Sequence, residues 1–321
     1  MKHLLFIIIP FAWFTILTCG DKGLSSSNAG QRHDGAYKLN TGLSGSLQNP
    51  AFSPDGKSVV FTRFHDGYNK GSSDLYVYHL KTKKLKPLVS DGSSNVNLPG
   101  SAWNDKINAV VFSSDREPHD EIFLISDTGG TTGDEIQLTN RQDKQSYEPA
   151  FSPAGQWIVF ESHNIDAKNN GVITKYKIDG SSGYIDLTAS GENAGQPDWS
   201  PAGDKILYQK ENNGKWAIWT MDIFGRNKTM ITSLNESNTD AVFSQDGQWI
   251  IYSSENDNVK SANIYKIPSN GGVPTRITRS EAYDGAPSIS PDGTKIAFES
   301  IYGNPEESNG TAIWILNIPG T

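Results

Sequence analysis

The sequence predicts an all-β chain in which one four-strand unit is written six times and closes into a ring. Three observations carry this reading. A short motif recurs at a near-constant period. The stretch after each copy alternates between buried and exposed residue types. A strand missing from the last copy is found ahead of the first. Of 321 residues, 36% are hydrophobic and 10% aromatic, enough to build a core and too many for a disordered chain. The formal net charge is −8, which repels phosphate backbones and argues against nucleic acid as a partner. A single cysteine excludes an internal disulfide.

The copies are AFSPDGKSVVFT from Ala51, AFSPAGQWIVFES from Ala150, DWSPAGDKILYQK from Asp198, VFSQDGQWIIYSS from Val242 and SISPDGTKIAFES from Ser288. A degenerate copy, AWNDKINAVVFSS, starts at Ala102. The aligned positions Ser53, Asn104, Ser152, Ser200, Ser244 and Ser290 are 51, 48, 48, 44 and 46 residues apart, a period that suits a four-stranded propeller blade. Each first strand ends on an apolar residue: Phe52, Trp103, Phe151, Trp199, Phe243 or Ile289. In the turn that follows, Pro presets φ at one corner and Gly accepts positive φ at the other.

The second strand alternates and ends near a ring: Phe61, Phe112, Phe160, Tyr208, Tyr252 or Phe298. Alternation places these rings on a buried face. Third strands carry an aliphatic–aromatic pair such as Leu75-Tyr76, Ile122-Phe123 or Ile313-Trp314, with Thr174 in the aromatic slot of blade 3. Fourth strands end in Leu138-Thr139, Leu187-Thr188, Ile231-Thr232 and Ile277-Thr278. The sixth unit has no fourth strand, and Tyr37-Lys38-Leu39-Asn40 matches the missing piece. Residues 37–321 therefore read as one six-bladed β-propeller of four-stranded blades, the last blade closed by an N-terminal strand. Closure removes exposed edges and covers the blade faces.

Residues 1–18 read as a signal peptide, with Lys2 ahead of an apolar run from Leu4 to Leu17. Ile16-Leu17-Thr18-Cys19-Gly20 resembles the lipobox of bacterial lipoproteins, which implies a lipid on Cys19. Such an anchor would be the chain's only contact with a membrane. Residues 19–36, rich in Gly, Ser and polar side chains, then form a flexible tether. The expected setting is a bacterial cell envelope, periplasm-facing or surface-exposed.

The repeat F-S-P-D-G-K-x-I-x-F with a following I-Y resembles the propeller repeat of the TolB family. That resemblance covers nearly all of residues 40–321. It implies a non-catalytic propeller that binds an envelope protein or a peptidoglycan-associated partner. In this topology the residues just before each first-strand Pro ring the channel mouth: Asn49, Gly100, Glu148, Gln196, Asp240 and Ala286. The polar ones, Asn49, Glu148, Gln196 and Asp240, are the binding candidates there.

The loops after the second strands add Arg63, Phe64, His65, Tyr68, Arg116, Glu161, Glu299 and Tyr302. Phe64, Tyr68 and Tyr302 are aromatic anchors for a partner. An alternative is a metal-dependent carbohydrate-active enzyme or sugar-binding propeller. His65, His119 and His163 fall in three consecutive blades, and three imidazoles can hold a divalent metal. The repeats are also similar to those of metal-dependent propeller lyases acting on oligogalacturonides. No Gly-x-Ser-x-Gly nucleophile elbow, P-loop or dinucleotide fingerprint occurs, so no catalytic residue and no cofactor are expected on the first reading.

Overall fold

The computed structural model describes residues 32–98, 102–127, 131–167, 170–255, 261–302 and 310–318. The signal segment, Cys19, most of the tether and Gly100 lie outside the described residues. Within them every regular element is a strand. The strands form six antiparallel blades in a ring, each a meander, with the inner strand of blade 2 split into two pieces that both pair with the second strand. In blade 1 these are Ser46–Phe52, Ser58–Phe64, Ser73–His79 and Leu85–Val89. Blade 6 is completed as the sequence implies: Tyr37–Lys38 pairs with Ala312–Asn317, with Tyr37 opposite Ile315 and Lys38 opposite Trp314. Leu39 continues this match, its N–H donating to the Ile313 carbonyl at 2.9 Å.

The repeated Ser–Pro–Asp–Gly turn has a mechanical origin. Ser53 Oγ accepts the Ser58 N–H at 2.9 Å and donates to Asp55 at 2.7 Å. Gly56, at φ 68°, closes the turn onto the Ser53 carbonyl at 2.8 Å. The same serine bond recurs from Trp157 to Ser152, Lys205 to Ser200, Trp249 to Ser244 and Lys295 to Ser290. In blade 2, Asn104 substitutes, its Oδ1 accepting the Lys106 N–H at 2.9 Å. At the outer end, the threonine of each Leu-Thr or Ile-Thr pair turns inward. Thr139, Thr188, Thr232 and Thr278 accept the N–H of Ile122, Ile173, Ile218 and Ile264 at 2.8–2.9 Å. The paired fourth strands, Ile136–Gln137 and its counterparts, thus lie just ahead of the threonines.

The core lies between blades, where the second-strand rings pack. Phe61, Phe112, Phe160, Tyr208 and Phe298 have no solvent exposure. Each stands directly opposite the third-strand aromatic slot, as in Phe61–Tyr76, Phe112–Phe123 and Phe298–Trp314. Blade 3 has Thr174 opposite Phe160. There Tyr184 fills the slot, edge-on to Phe160 and stacked on Tyr176 at 4.7 Å.

The tether ends earlier than the sequence suggests. Arg32 is 3% exposed and Ala36 is fully buried, so residues 32–36 belong to the propeller. The Arg32 guanidinium forks onto Asp284 at 2.6 and 2.7 Å and onto Asp34 at 2.7 Å. The rings of Phe298, Tyr302 and Trp314 surround it at 5.2–5.7 Å. Such a planar cation between carboxylates and aromatic faces is a site for arginine, not lysine. Arg32→Ala leaves Asp284 buried without its partner, and the expected loss is about 3–5 kcal/mol. Urea unfolding of the full chain checks this; a change below 1 kcal/mol, or about that, would show that the N-terminal clasp is not part of the cooperative fold.

Candidate functional site: an acidic channel mouth

Five inner strands share one irregularity. Pairing with the second strand slips between Gln48 and Ala51, Tyr147 and Ala150, Gly195 and Asp198, Thr239 and Val242, and Gly285 and Ser288. At each slip a residue takes left-handed φ: Asn49 at 50°, Glu148 at 48°, Gln196 at 45°, Asp240 at 54° and Ala286 at 45°. A left-handed non-glycine residue costs on the order of 1 kcal/mol or more. The bulge re-aims the peptide and its side chain, here into the central channel. The sequence-derived ring of Asn49, Glu148, Gln196 and Asp240 is therefore assembled. With Ala286, Pro197 and Pro287 it lines a small, open pocket at the channel mouth.

The ring is knitted by hydrogen bonds in two half-circles. Glu299 Oε2 accepts the Asn49 N–H at 3.0 Å. Asn49 Nδ2 donates to Asn97 at 2.6 Å, and Asn97 Nδ2 to Glu148 at 3.4 Å. The other half starts three blades away. Glu161 Oε2 accepts the Gln196 N–H at 3.0 Å. Gln196 and Asp240 then bond reciprocally, Nε2 to Oδ1 at 2.8 Å and the Asp240 N–H to Oε1 at 3.0 Å. Asp240 in turn accepts the Ala286 N–H. Asn97 was not among the sequence candidates. It fills the blade 2 place assigned to Gly100, because the inner strand there is split into Val96–Asn97 and Trp103–Asn104.

Glu161 and Glu299 are corrected from loop residues to channel residues. Each sits one position past the buried ring of its second strand and reaches the next blade. Glu299 is 1% exposed. Tyr68, drawn from the blade 1 loop, donates to Glu299 at 2.9 Å, and Tyr283 does so at 3.2 Å. Tyr68 is thus part of the mouth rather than a protruding anchor. Phe64 is 2% exposed and belongs to the core. Tyr302 packs edge-on against Trp314 and helps enclose Arg32. Arg63 bonds the Ser44 carbonyl at 2.8 Å. Arg116 lies over Phe123 and pairs with Glu135 at 3.0 Å.

The three histidines are not drawn together. His65 bonds Asp74 at 2.8 Å and His163 bonds Glu161, each within its own blade. Among the described residues no group of three or more His, Cys, Asp or Glu side chains is placed to hold a metal ion.

The channel chemistry is acidic. The described cavity lining includes Glu148, Asp198 and Asp240 and no lysine, arginine or histidine. Burial raises the Glu148 carboxyl well above its ordinary range, and the charges of Glu161, Asp240 and Glu299 add to the rise. Asp240 is also raised, by burial. Burial pushes Glu299 up to about 7, against the Asn49 N–H and with the charge of Asp240. Nearby, burial pushes Asp120 up to about 7, against its bond from Tyr147. Burial also raises the Tyr68 and Tyr283 hydroxyls, so both act as donors. Such an array favours any ligand that brings positive charge or N–H donors into the mouth.

A closed six-bladed propeller with a polar channel mouth defines a broad class of binding and catalytic scaffolds. Within that class the sequence match is specific. A family model described as the TolB beta propeller domain matches residues 33–235 and 187–309. The chain belongs to the TolB β-propeller family. It is 28% identical over 203 residues to the Tol-Pal system protein TolB of Francisella tularensis subsp. mediasiatica. That match takes in 62% of this chain and spans 43% of the length of the relative.

Among solved structures, TolB from Acinetobacter baumannii aligns with a TM-score of 0.65 at 17% identity, covering 83% of this chain and 65% of that one. Oligogalacturonate lyase from Vibrio parahaemolyticus aligns at 0.56 and 13% identity, covering 88% and 93%. At these identities the structural likeness shows the fold alone.

Because Glu299 binds its proton more tightly folded than unfolded, its contribution to stability is full at low pH. It is lost as pH rises from about 4.5 through about 7. Glu299→Gln removes that contribution to the slope. The expected result is a urea midpoint that declines less than wild type between pH 5 and 8; parallel curves would show that the carboxyl does not titrate there.

Proposed function

We propose that this chain is a non-catalytic cell-envelope propeller that holds a protein partner at its channel mouth. The observation that carries the reading is the hydrogen-bonded ring of Asn49, Asn97, Glu148, Gln196 and Asp240. It is acidic and it is positioned by strained backbone. Strained backbone of this kind concentrates at ligand-binding sites, which supports a binding role for the ring. The curated relative bears the name Tol-Pal system protein, which supports an envelope protein or a peptidoglycan-associated protein as the partner class. The lipobox-like segment ending at Cys19 supports attachment to a membrane by a lipid. The partner segment that suits the mouth presents lysine, arginine or amide donors to the carboxylates, with apolar contact at the prolines.

In-cell crosslinking of the tagged full chain, followed by mass spectrometry, tests this. The expected result is one envelope protein, captured by wild type and reduced at least about tenfold by the pair Glu148→Gln and Asp240→Asn. Tenfold is about 1.4 kcal/mol, the effect of losing about one charge-assisted hydrogen bond. The variant should melt at or above the wild-type temperature, because mutual repulsion among the carboxylates is relieved. Capture unaffected by the double variant would move the partner surface away from the channel.

A further inference from the structure

The charge of blade 1 changes sign along its length. At one end its loop delivers Tyr68 to Glu299 and the acidic mouth. At the other end, the hairpin joining the third and fourth strands reads His79-Leu80-Lys81-Thr82-Lys83-Lys84-Leu85-Lys86. The two ends are opposite by register, since Ser58 pairs with His79 and Phe64 with Ser73. Lys81, Lys83, Lys84 and Lys86 are all exposed. Among the described residues none of these four forms an ion pair, whereas neighbouring Lys57 is matched by Asp55 at 2.9 Å.

The hairpin is a built feature and not a loose run of charge. The Lys83 N–H donates to the His79 carbonyl at 2.8 Å, and the His79 N–H to the Lys84 carbonyl at 2.9 Å. Leu80 ties the turn to Lys57 at 2.9 Å, and Leu80 and Leu85 pack against the core around Phe61 and Tyr78. Lys83 takes left-handed φ, 56°, at the tip. Four ammonium groups are therefore displayed together from a fixed turn in a chain of net charge −8.

We propose that this lysine hairpin is a docking surface for a bilayer rich in anionic phospholipid headgroups. Charge complementarity selects an anionic surface, and chain length selects a membrane. Between Cys19 and Arg32 the backbone reaches at most about 45 Å, whereas a seven-residue blade strand is only about 23 Å long. A lipid on Cys19 therefore allows the hairpin end to rest on the same bilayer. One acyl chain binds a membrane only marginally, and a basic patch is the kind of second signal that makes attachment stable. Each lysine held near an anionic leaflet strengthens binding about fivefold. This placement turns the acidic mouth away from the bilayer and toward a partner. It extends the anchored reading, but the test below needs no lipid on Cys19 and no partner, so the two fail separately.

The experiment uses the full chain carrying Cys19→Ser and measures partitioning onto phosphatidylcholine vesicles with and without phosphatidylglycerol. The N-terminal apolar run acts on both kinds, so the readout is the anionic-to-neutral ratio. The expected ratio is about tenfold or more at low salt, falling toward one in high salt. The variant K81Q/K83Q/K84Q/K86Q should bring it close to one with unchanged melting. A control of equal charge loss at the mouth end of the blades, K70Q/K144Q/K210Q/K215Q, should keep most of it. An equal fall in the control would assign the effect to net charge and overturn the proposal. So would a wild-type ratio of one, or a hairpin that binds soluble polygalacturonate while ignoring the anionic vesicles.

Discussion

The channel is built from the consequences of one repeated backbone defect. A bulge at the inner strand holds a side-chain-bearing residue at positive φ and turns its N–H away from the sheet. A buried N–H without an acceptor is costly, so each bulge demands an acceptor from its surroundings. In blades 1 and 4 that acceptor is a carboxylate of the preceding blade, Glu299 for Asn49 and Glu161 for Gln196. In blade 5 it is the Gln196 amide oxygen. The acids of the mouth therefore serve two ends. They satisfy the bulges and, crowded together in a buried ring, hold their protons above the ordinary carboxyl range, so that an incoming positive charge favours their ionised forms. Glycine at Gly195 and Gly285 follows from the same geometry, because a Cβ there would collide with the Glu161 carboxylate or the Tyr283 hydroxyl.

Much of this was legible in the sequence because the repeat encodes it locally. The turn serine and Gly, kept in five blades, and the ring near the end of the second strand, kept in all six, act over a few residues, and their repetition amplifies the signal. Closure by Tyr37–Lys38 was legible as a strand count. The four polar mouth residues were legible because they occupy one register position. What escaped depends on contacts between distant parts of the chain. Phe64 and Tyr302 look like loop aromatics, and only the neighbouring blade and the Arg32 pocket show them to be enclosed. Glu161 and Glu299 follow an aromatic near a strand end and read as residues of the loop face. Their direction depends on the N–H of the next bulge, which no local pattern states. Asn97 was hidden by the break in blade 2, where the repeat is degenerate. Arg32 stands in a segment whose composition suits a tether, and its partner Asp284 is 252 residues away.

Blades 3 and 6 stand opposite each other in the ring, and they supply the glutamates that begin the two half-circles. The halves are not equivalent. One ends on Glu148, which among the described residues accepts the long contact from Asn97; the other passes through Asp240 to the Ala286 N–H. Tyr68 and Tyr283 cover the blade 6 side, meeting edge-on at 6.2 Å. A ligand entering the mouth thus meets two phenols on one side and the lightly held Glu148 across from them. This asymmetry gives an otherwise six-fold scaffold a defined orientation for whatever it holds.

The N-terminal clasp also has a mechanical meaning. The strand that closes the ring is only Tyr37–Lys38 long, and the chain upstream of it leads to the proposed anchor. Tension arriving along that chain meets the Arg32 pocket before it meets the strand. Two charge-assisted contacts to Asp284 and three aromatic faces must give way first. The pocket isolates the ring's seam from pulling forces, as a strain relief isolates a joint from its cable, so a tethered propeller can be tugged without being unzipped.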